Sequence, residues 1–184
     1  MGTIPNQSDN ILFSAICREK RGTFERVARA LPFDKVTLAK IVEKARTHPT
    51  LMGTEINTTE DIWRVFIDDS QTELASKGLL AVVDDFTGIF WLTDIQYPQH
   101  ASVHYTFFDG VQRGREALCK EALKYIFNTY KFDFLWTTVP LWAKHPLFFV
   151  ERIGFQKIKR EPKKASFFGE LYDVNIYEIR PENL

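Results

Sequence analysis

The 184-residue chain predicts an α/β domain of the α+β kind, a mixed, mostly antiparallel sheet of six to seven strands flanked by four to five helices. Three observations predict it. Residues 22–68 carry mainly helix-period apolar patterning, and from Gly78 the period shortens to that of strands. From residue 101 to 180 the order is strand, basic glycine-bearing loop, long amphipathic helix, strand, short helix and two strands. A strand–helix–strand unit joins parallel strands, and hairpins supply the antiparallel remainder.

The elements follow in order. Residues 1–9 are polar and expected to be loose, and 11–18 read as a first strand. Over 24–31 apolar side chains recur at spacings of three and four, the mark of a short helix, which Pro32 ends. Asp34 then suits the N-cap of a helix striped by Leu38, Ile41, Val42 and Ala45, which His48 and Pro49 stop. Residues 52–59 read as loop. Residues 60–69 are read as helix because Trp63, Phe66 and Ile67 share a helical face, although 62–67 also has strand composition. Residues 79–83 form a buried strand, 84–88 a hairpin turn and 89–95 its partner.

Pro98 breaks the chain before a strand over 101–108. There Val103, Tyr105 and Phe107 point to the core, and Ser102, His104 and Thr106 to a polar face. The long helix spans 115–130, with Leu118, Ala122, Tyr125, Ile126 and Tyr130 as its buried stripe. Residues 132–139 are continuously apolar, the pattern of a strand covered on both faces. A short helix over 145–153 ends on Gly154 as its left-handed C′ residue, and strands 155–160 and 172–179 close the chain around a loop at Pro162 and Gly169.

Composition sets the bounds. With 45% hydrophobic residues and 16 phenylalanines, a chain of this length buries roughly 70% of its unfolded surface and needs no metal or disulfide. One domain over 1–184 is expected, with a helical segment at 22–68 and the sheet core at 78–180. The formal charge is zero, so no global field draws nucleic acid, and none is expected as a partner. The one basic run, 157–164, reads as a solvated hairpin. Cys17 and Cys119 lack metal-ligand spacing, Cys119 reads as a small buried residue, and no metal site is predicted. Reduced thiols, no signal-like start and no apolar run of about 18 residues imply a cytoplasmic protein that does not enter a membrane. P-loop, nucleophile-elbow, zinc and dinucleotide fingerprints are absent, which removes those enzyme classes.

The element order, with the stretch Phe148-Phe149-Val150-Glu151-Arg152-Ile153-Gly154-Phe155, resembles the GNAT N-acetyltransferase superfamily. That stretch is similar to the family's helix ending of an aromatic, two polar residues, an aliphatic and Gly-Phe. The helix from Ala117 to Tyr125 resembles the family's third helix, and the likeness covers residues 88–180 best. It implies that acetyl-CoA lies between two splayed parallel strands, its diphosphate on the amides of a loop patterned Gln/Arg-x-x-Gly-x-Gly/Ala. The physics suits a diphosphate, because free donors and the positive helix end meet it. The corresponding residues are Gln112, Arg113, Gly114, Arg115, Glu116 and Ala117. Arg115 stands where the pattern has Gly, and Ala117 fits the last slot.

The family's tyrosine, which protonates the leaving thiolate four residues before the Gly of Gly-Phe, is replaced by Val150. In both departures the chain resembles phage-encoded members of the superfamily, which would place it in the cytoplasm of a bacterial host. The resemblance implies direct acetyl transfer from acetyl-CoA to an amine acceptor. Its alternative is a catalytically silent GNAT-like binding protein or a virion-associated interaction protein. A homodimer is left open.

Transfer to an amine needs a group to take the ammonium proton. His104, on the polar face of its strand, is the first candidate base, and His145, at the start of the short helix, the second. Asp94 is unspecific, and Glu116 reads as a charge complementing a helix start. Phe107 and Phe108, with Trp136 and Trp142, read either as core or as the lining of a pantetheine channel.

Overall fold

The computed structural model describes residues 15–18, 25–31, 35–47, 80–83, 88–108, 114–167 and 169–184. Strands β1 (Ala15–Arg18) and β2 (Glu25–Leu31) precede helix α1 (Lys35–Thr47), and β3 (Leu80–Val83), β4 (Gly88–Gln96) and β5 (His100–Phe107) follow it. Then come α2 (Arg115–Tyr130), β6 (Phe134–Pro140), α3 (Lys144–Arg152), β7 (Gln156–Phe167) and β8 (Glu170–Ile179). The strands form one sheet in the order β1-β2-β3-β4-β5-β6-β8-β7. Every neighbouring pair is antiparallel except β5 with β6, which the α2 crossover makes parallel.

The expected helix over 24–31 is strand β2, and this raises the sheet to eight strands against six to seven expected. The spacing of four from Val27 to Leu31 fits a strand's period of two as well as a helix, and pairing with β1 on one side and β3 on the other decides for the strand. The helical segment expected at 22–68 is therefore helical over Lys35–Thr47 among the described residues, and the expected helix at 60–69 lies outside them. Three α-helices are described, and α1 buries Ile41, Val42 and Ala45 as its stripe requires.

One cluster gathers Phe90, Leu92 and Val103 from β4 and β5, Leu118, Ala122, Leu123, Ile126 and Phe127 from α2, Leu135 and Val139 from β6, Val150 from α3, and Tyr177 and Ile179 from β8. β6 was expected to be covered on both faces. Instead Leu135, Thr137 and Val139 are buried while Thr138 is exposed and Phe134 and Trp136 are half-buried. Among the described residues, only one face of β6 carries this core. The expected loop around Pro162 is strand. β7 runs through Pro162 as an edge strand with register shifts between Lys157 and Lys159 and between Glu161 and Ala165. An edge position and a bulge are where a strand tolerates the missing N–H of proline. The basic side chains of β7 are solvated and locally paired: Lys159 lies 2.6 Å from Glu161, and Arg160 lies 2.6 Å from Asp173.

Gly154 closes α3 with φ of 113°, and a Cβ there would lie 2.8 Å from the Asn183 carbonyl oxygen and 3.2 Å from Ile179 Cδ1. Gly154→Ala is expected to cost about 2–3 kcal/mol through backbone strain and overpacking. Urea unfolding checks it: the midpoint falls with the slope unchanged, and an unaltered midpoint refutes the close approach.

Candidate active site

The site begins where a ladder ends. β5 and β6 are paired over His100–Phe134, Ala101–Leu135 and Ser102–Trp136, and no ladder bond joins them beyond that point. β5 continues to Phe107 held by β4, and β6 continues to Pro140 held by β8. The two parallel strands therefore part toward their C-terminal ends, leaving a wedge between residues 103–107 and 137–140.

Two helices define the wedge. α2 starts beyond the end of β5 on Gly114, which holds φ of 75°, and among the described residues no side chain caps its first amides. Its first helical bond runs from Leu118 N–H to the Gly114 carbonyl at 3.0 Å, so amides ahead of it have no carbonyl within the helix to meet. α3 leaves the end of β6 and crosses the opening on the core side. Its Phe149 ring lies 5.2 Å from that of Tyr105 on β5, and its Arg152 donates to Glu116 on α2 at 2.6 Å. Glu116 also lies 4.0 Å from Lys120, so it complements the helix start while tying α2 to α3.

Of the residues expected to hold a diphosphate, Gly114, Arg115, Glu116 and Ala117 open α2 as anticipated, with Ala117 exposed. Gln112 and Arg113 lie outside the described residues. Arg115 turns inward: its guanidinium sits 4.7 Å over the Phe107 ring, and its charge acts on Cys119 one turn along. Phe107 and Phe108 are buried, and Phe107 packs edge-on to Phe90 at 5.8 Å within the core. Burial pushes the Cys119 thiol well above its ordinary range, the nearby Arg115 charge opposing it, and the side chain is packed inside the core.

His104 lies on the face of β5 opposite the core cluster, and that face is buried as well, with Ser102 and Thr106 inside. Its ring stacks on Trp91 at 5.1 Å, and Nε2 lies 2.8 Å from Thr93 Oγ1 and 3.1 Å from Ser102 Oγ. Burial pulls its pKa down to about 4, so the imidazole is neutral at pH 7 and a weak base. His145 stands exposed on the first turn of α3. The two candidate bases thus occupy different surroundings, one enclosed and hydrogen-bonded and the other in solvent.

Two polar residues of the core side escaped the sequence reading. Tyr105 has a buried hydroxyl with no hydrogen-bond partner among the described residues, and burial raises its pKa far above the ordinary phenol value. Tyr177 donates to Glu151 at 3.2 Å beside Val150, which is fully enclosed. Alternation marks Tyr105 as a core residue, and nothing in the sequence shows where the β5–β6 ladder stops. Trp142, considered for a channel, stacks on Phe167 at 4.2 Å instead. Among the described residues no group of acidic, histidine and cysteine side chains could hold a metal, and no helix is long and apolar enough to cross a membrane.

Comparison with solved structures identifies this architecture. The spermidine N-acetyltransferase of Vibrio cholerae, solved with CoA and spermine, matches with a TM-score of 0.69 at 16% identity, over 86% of this chain and 96% of that one. The ribosomal-protein-S5-alanine acetyltransferase of Vibrio fischeri matches with a TM-score of 0.68 at 13% identity, over 92% and 98%. A probable acetyltransferase matches with a TM-score of 0.67 at 15% identity, over 92% and 99%. No family model and no curated protein sequence matches. The chain has the GNAT N-acetyltransferase fold.

The buried His104 makes acid a test of this geometry. Its folded pKa of about 4 lies below the ordinary 6.5, so below pH 6.5 the unfolded chain binds the extra proton. The neutral ring's contribution is complete above pH 6.5 and is lost as pH falls toward 4. The loss amounts to about 3 kcal/mol at the lower end. Chemical denaturation between these limits should show that slope, and His104→Asn should flatten it. An equal slope in the variant would place the histidine in solvent.

Proposed function

We propose that the chain is an N-acetyltransferase that takes acetyl-CoA as cosubstrate and passes the acetyl group directly to an amine. The observation that carries this is the wedge beyond Ser102 and Trp136, with the uncapped start of α2 at its open end. An extended, amide-bearing pantetheine arm suits a gap between two strands, and a diphosphate suits amides at a helix start. Gln112 and Arg113 enter this reading from the sequence, as the residues that lead into Gly114. The solved relative carrying CoA and spermine supports the same cosubstrate and an amine acceptor.

In the reaction the acceptor nitrogen attacks the thioester carbon, the carbon–sulfur bond breaks, and the proton lost by nitrogen ends on sulfur. His104, neutral and occupied by two hydroxyls, does not take that proton at neutral pH. Exposed His145 or water relays it from nitrogen to sulfur. Catalysis comes mainly from holding the two reactants together.

One observation favours a second reading, a GNAT-fold binding or virion-associated protein without catalysis. Val150, at the position of the family's tyrosine, is fully buried and has no group to offer a thiolate.

Calorimetric titration separates the two. Saturable micromolar binding of acetyl-CoA is expected, and no heat at millimolar ligand sinks the transferase reading. Ala117→Asp refines the test, because a carboxylate on the first turn favours the helix by about 0.5 kcal/mol yet repels a diphosphate. The variant should melt no lower than the parent while losing about tenfold or more in affinity, about 1.4 kcal/mol.

A further inference from the structure

On the core side the wedge is lined by Val103, Tyr105 and Phe107 from β5 and by Thr137 and Val139 from β6. These are apolar groups with few exceptions, and one exception is unsatisfied. The Tyr105 hydroxyl is buried and finds no hydrogen-bond partner among the described atoms, although its ring is held by Phe149 at 5.2 Å, Phe90 at 6.3 Å and Phe107 at 6.3 Å. Leaving such a donor unmade costs about 1–3 kcal/mol, and a ligand that brings an acceptor recovers it. The residue stands three positions past Ser102, the last paired residue, about 10 Å along the strand from the closed end. Its ring meets Phe149, the neighbour in sequence of Val150.

The geometry points to Tyr105 Oη as the hydrogen-bond donor to the coenzyme's sulfur, set on β5 to do what Val150 cannot do from α3. The inference rests on the acetyl-CoA reading above and deepens it. As the amine attacks and the carbon–sulfur bond breaks, the electron pair moves onto sulfur, and the phenol stabilises it by donating without giving up its proton. The proton that completes the thiol is the one shed by the attacking nitrogen, so the step balances with no further reactant. The strongly raised phenol pKa agrees with a donor that stays protonated. The other features of the wedge leave this role vacant, since Arg115 is stacked on Phe107 and His104 faces the opposite side of β5.

Tyr105→Phe tests it, with CoA and desulfo-CoA (the same molecule lacking sulfur) as probes in calorimetry at pH 9. There the free thiol, with an ordinary pKa of about 8.5, is mostly thiolate. The expected result is an affinity for CoA lowered about tenfold, with desulfo-CoA binding unchanged. The variant's melting temperature should match or exceed the parent's, because no partner is lost. Equal CoA affinity in parent and variant overturns the inference while leaving the cosubstrate reading intact. So does an equal loss for both probes, which would place the hydroxyl on the arm instead of the sulfur. Failure of the parent itself to bind CoA overturns both.

Discussion

The structure depends on a seam of three residue pairs. His100, Ala101 and Ser102 hold Phe134, Leu135 and Trp136, and through these pairs the β1–β5 half of the sheet meets the β6–β8 half. Each half is laddered along its own length, so neither strand at the seam lacks a partner on its other side. What joins the halves past the seam is packing. The core cluster draws residues from both, with α2 and α3 beneath them, and Phe149 and Arg152 span the gap from α3 to β5 and α2. A sheet held this way tolerates an opening, because hydrophobic burial on one face does not require hydrogen bonds between the strands it covers.

The two faces of β5 then divide the polar groups. On one face Ser102, Thr93 and His104 are joined by hydrogen bonds and Trp91 stacks on the imidazole. The register shift between Thr93 and Gln96, with Asp94 at φ of 48°, lies at the end of β4 that flanks the seam. An extra residue there bends one partner of β5 just where β5 begins to leave the other. On the opposite face Tyr105 finds no hydrogen-bond partner among the described residues, and Thr137 is buried beside apolar side chains.

Much of this was legible in the residues. α2 was bounded at Arg115 and Tyr130 because its apolar stripe, Gly114 and the end of the periodicity agree. β4 and β5 were placed within one or two residues, since strand period and Pro98 mark them. The sequence points to a helix over β2 because Val27 and Leu31, four apart, fit both periods, and only its neighbours in the sheet decide between them. β7 was cut short because Pro162 reads as a stop wherever edge position is unknown. The site shows the same division. Alternation put His104 on a polar side chain face but carried no sign that this face is covered. It put Tyr105 in the core but carried no sign that its strand has already left β6 there, because where a parallel ladder stops is a property of two strands and not of either sequence.

The missing tyrosine at Val150 is a smaller chemical loss than it first looks. A thiolate leaves easily, with an ordinary conjugate pKa of about 8.5, so acyl transfer from a thioester demands little from a general acid. It demands more from placement, since effective molarities of well-held reactants contribute about 7–11 kcal/mol to lowering a barrier. On the proposed acetyl-CoA reading, a wedge fixed by core packing on one face and by a hydrogen-bonded polar layer on the other is what supplies that placement. In such a site the useful residues are those that hold one geometry: Gly154 and Val150 at the end of α3, Glu116 with Arg152 between the helices, and Phe149 beneath Tyr105. Burial holds the His104 pKa low, so its ring is neutral within the sheet at pH 7.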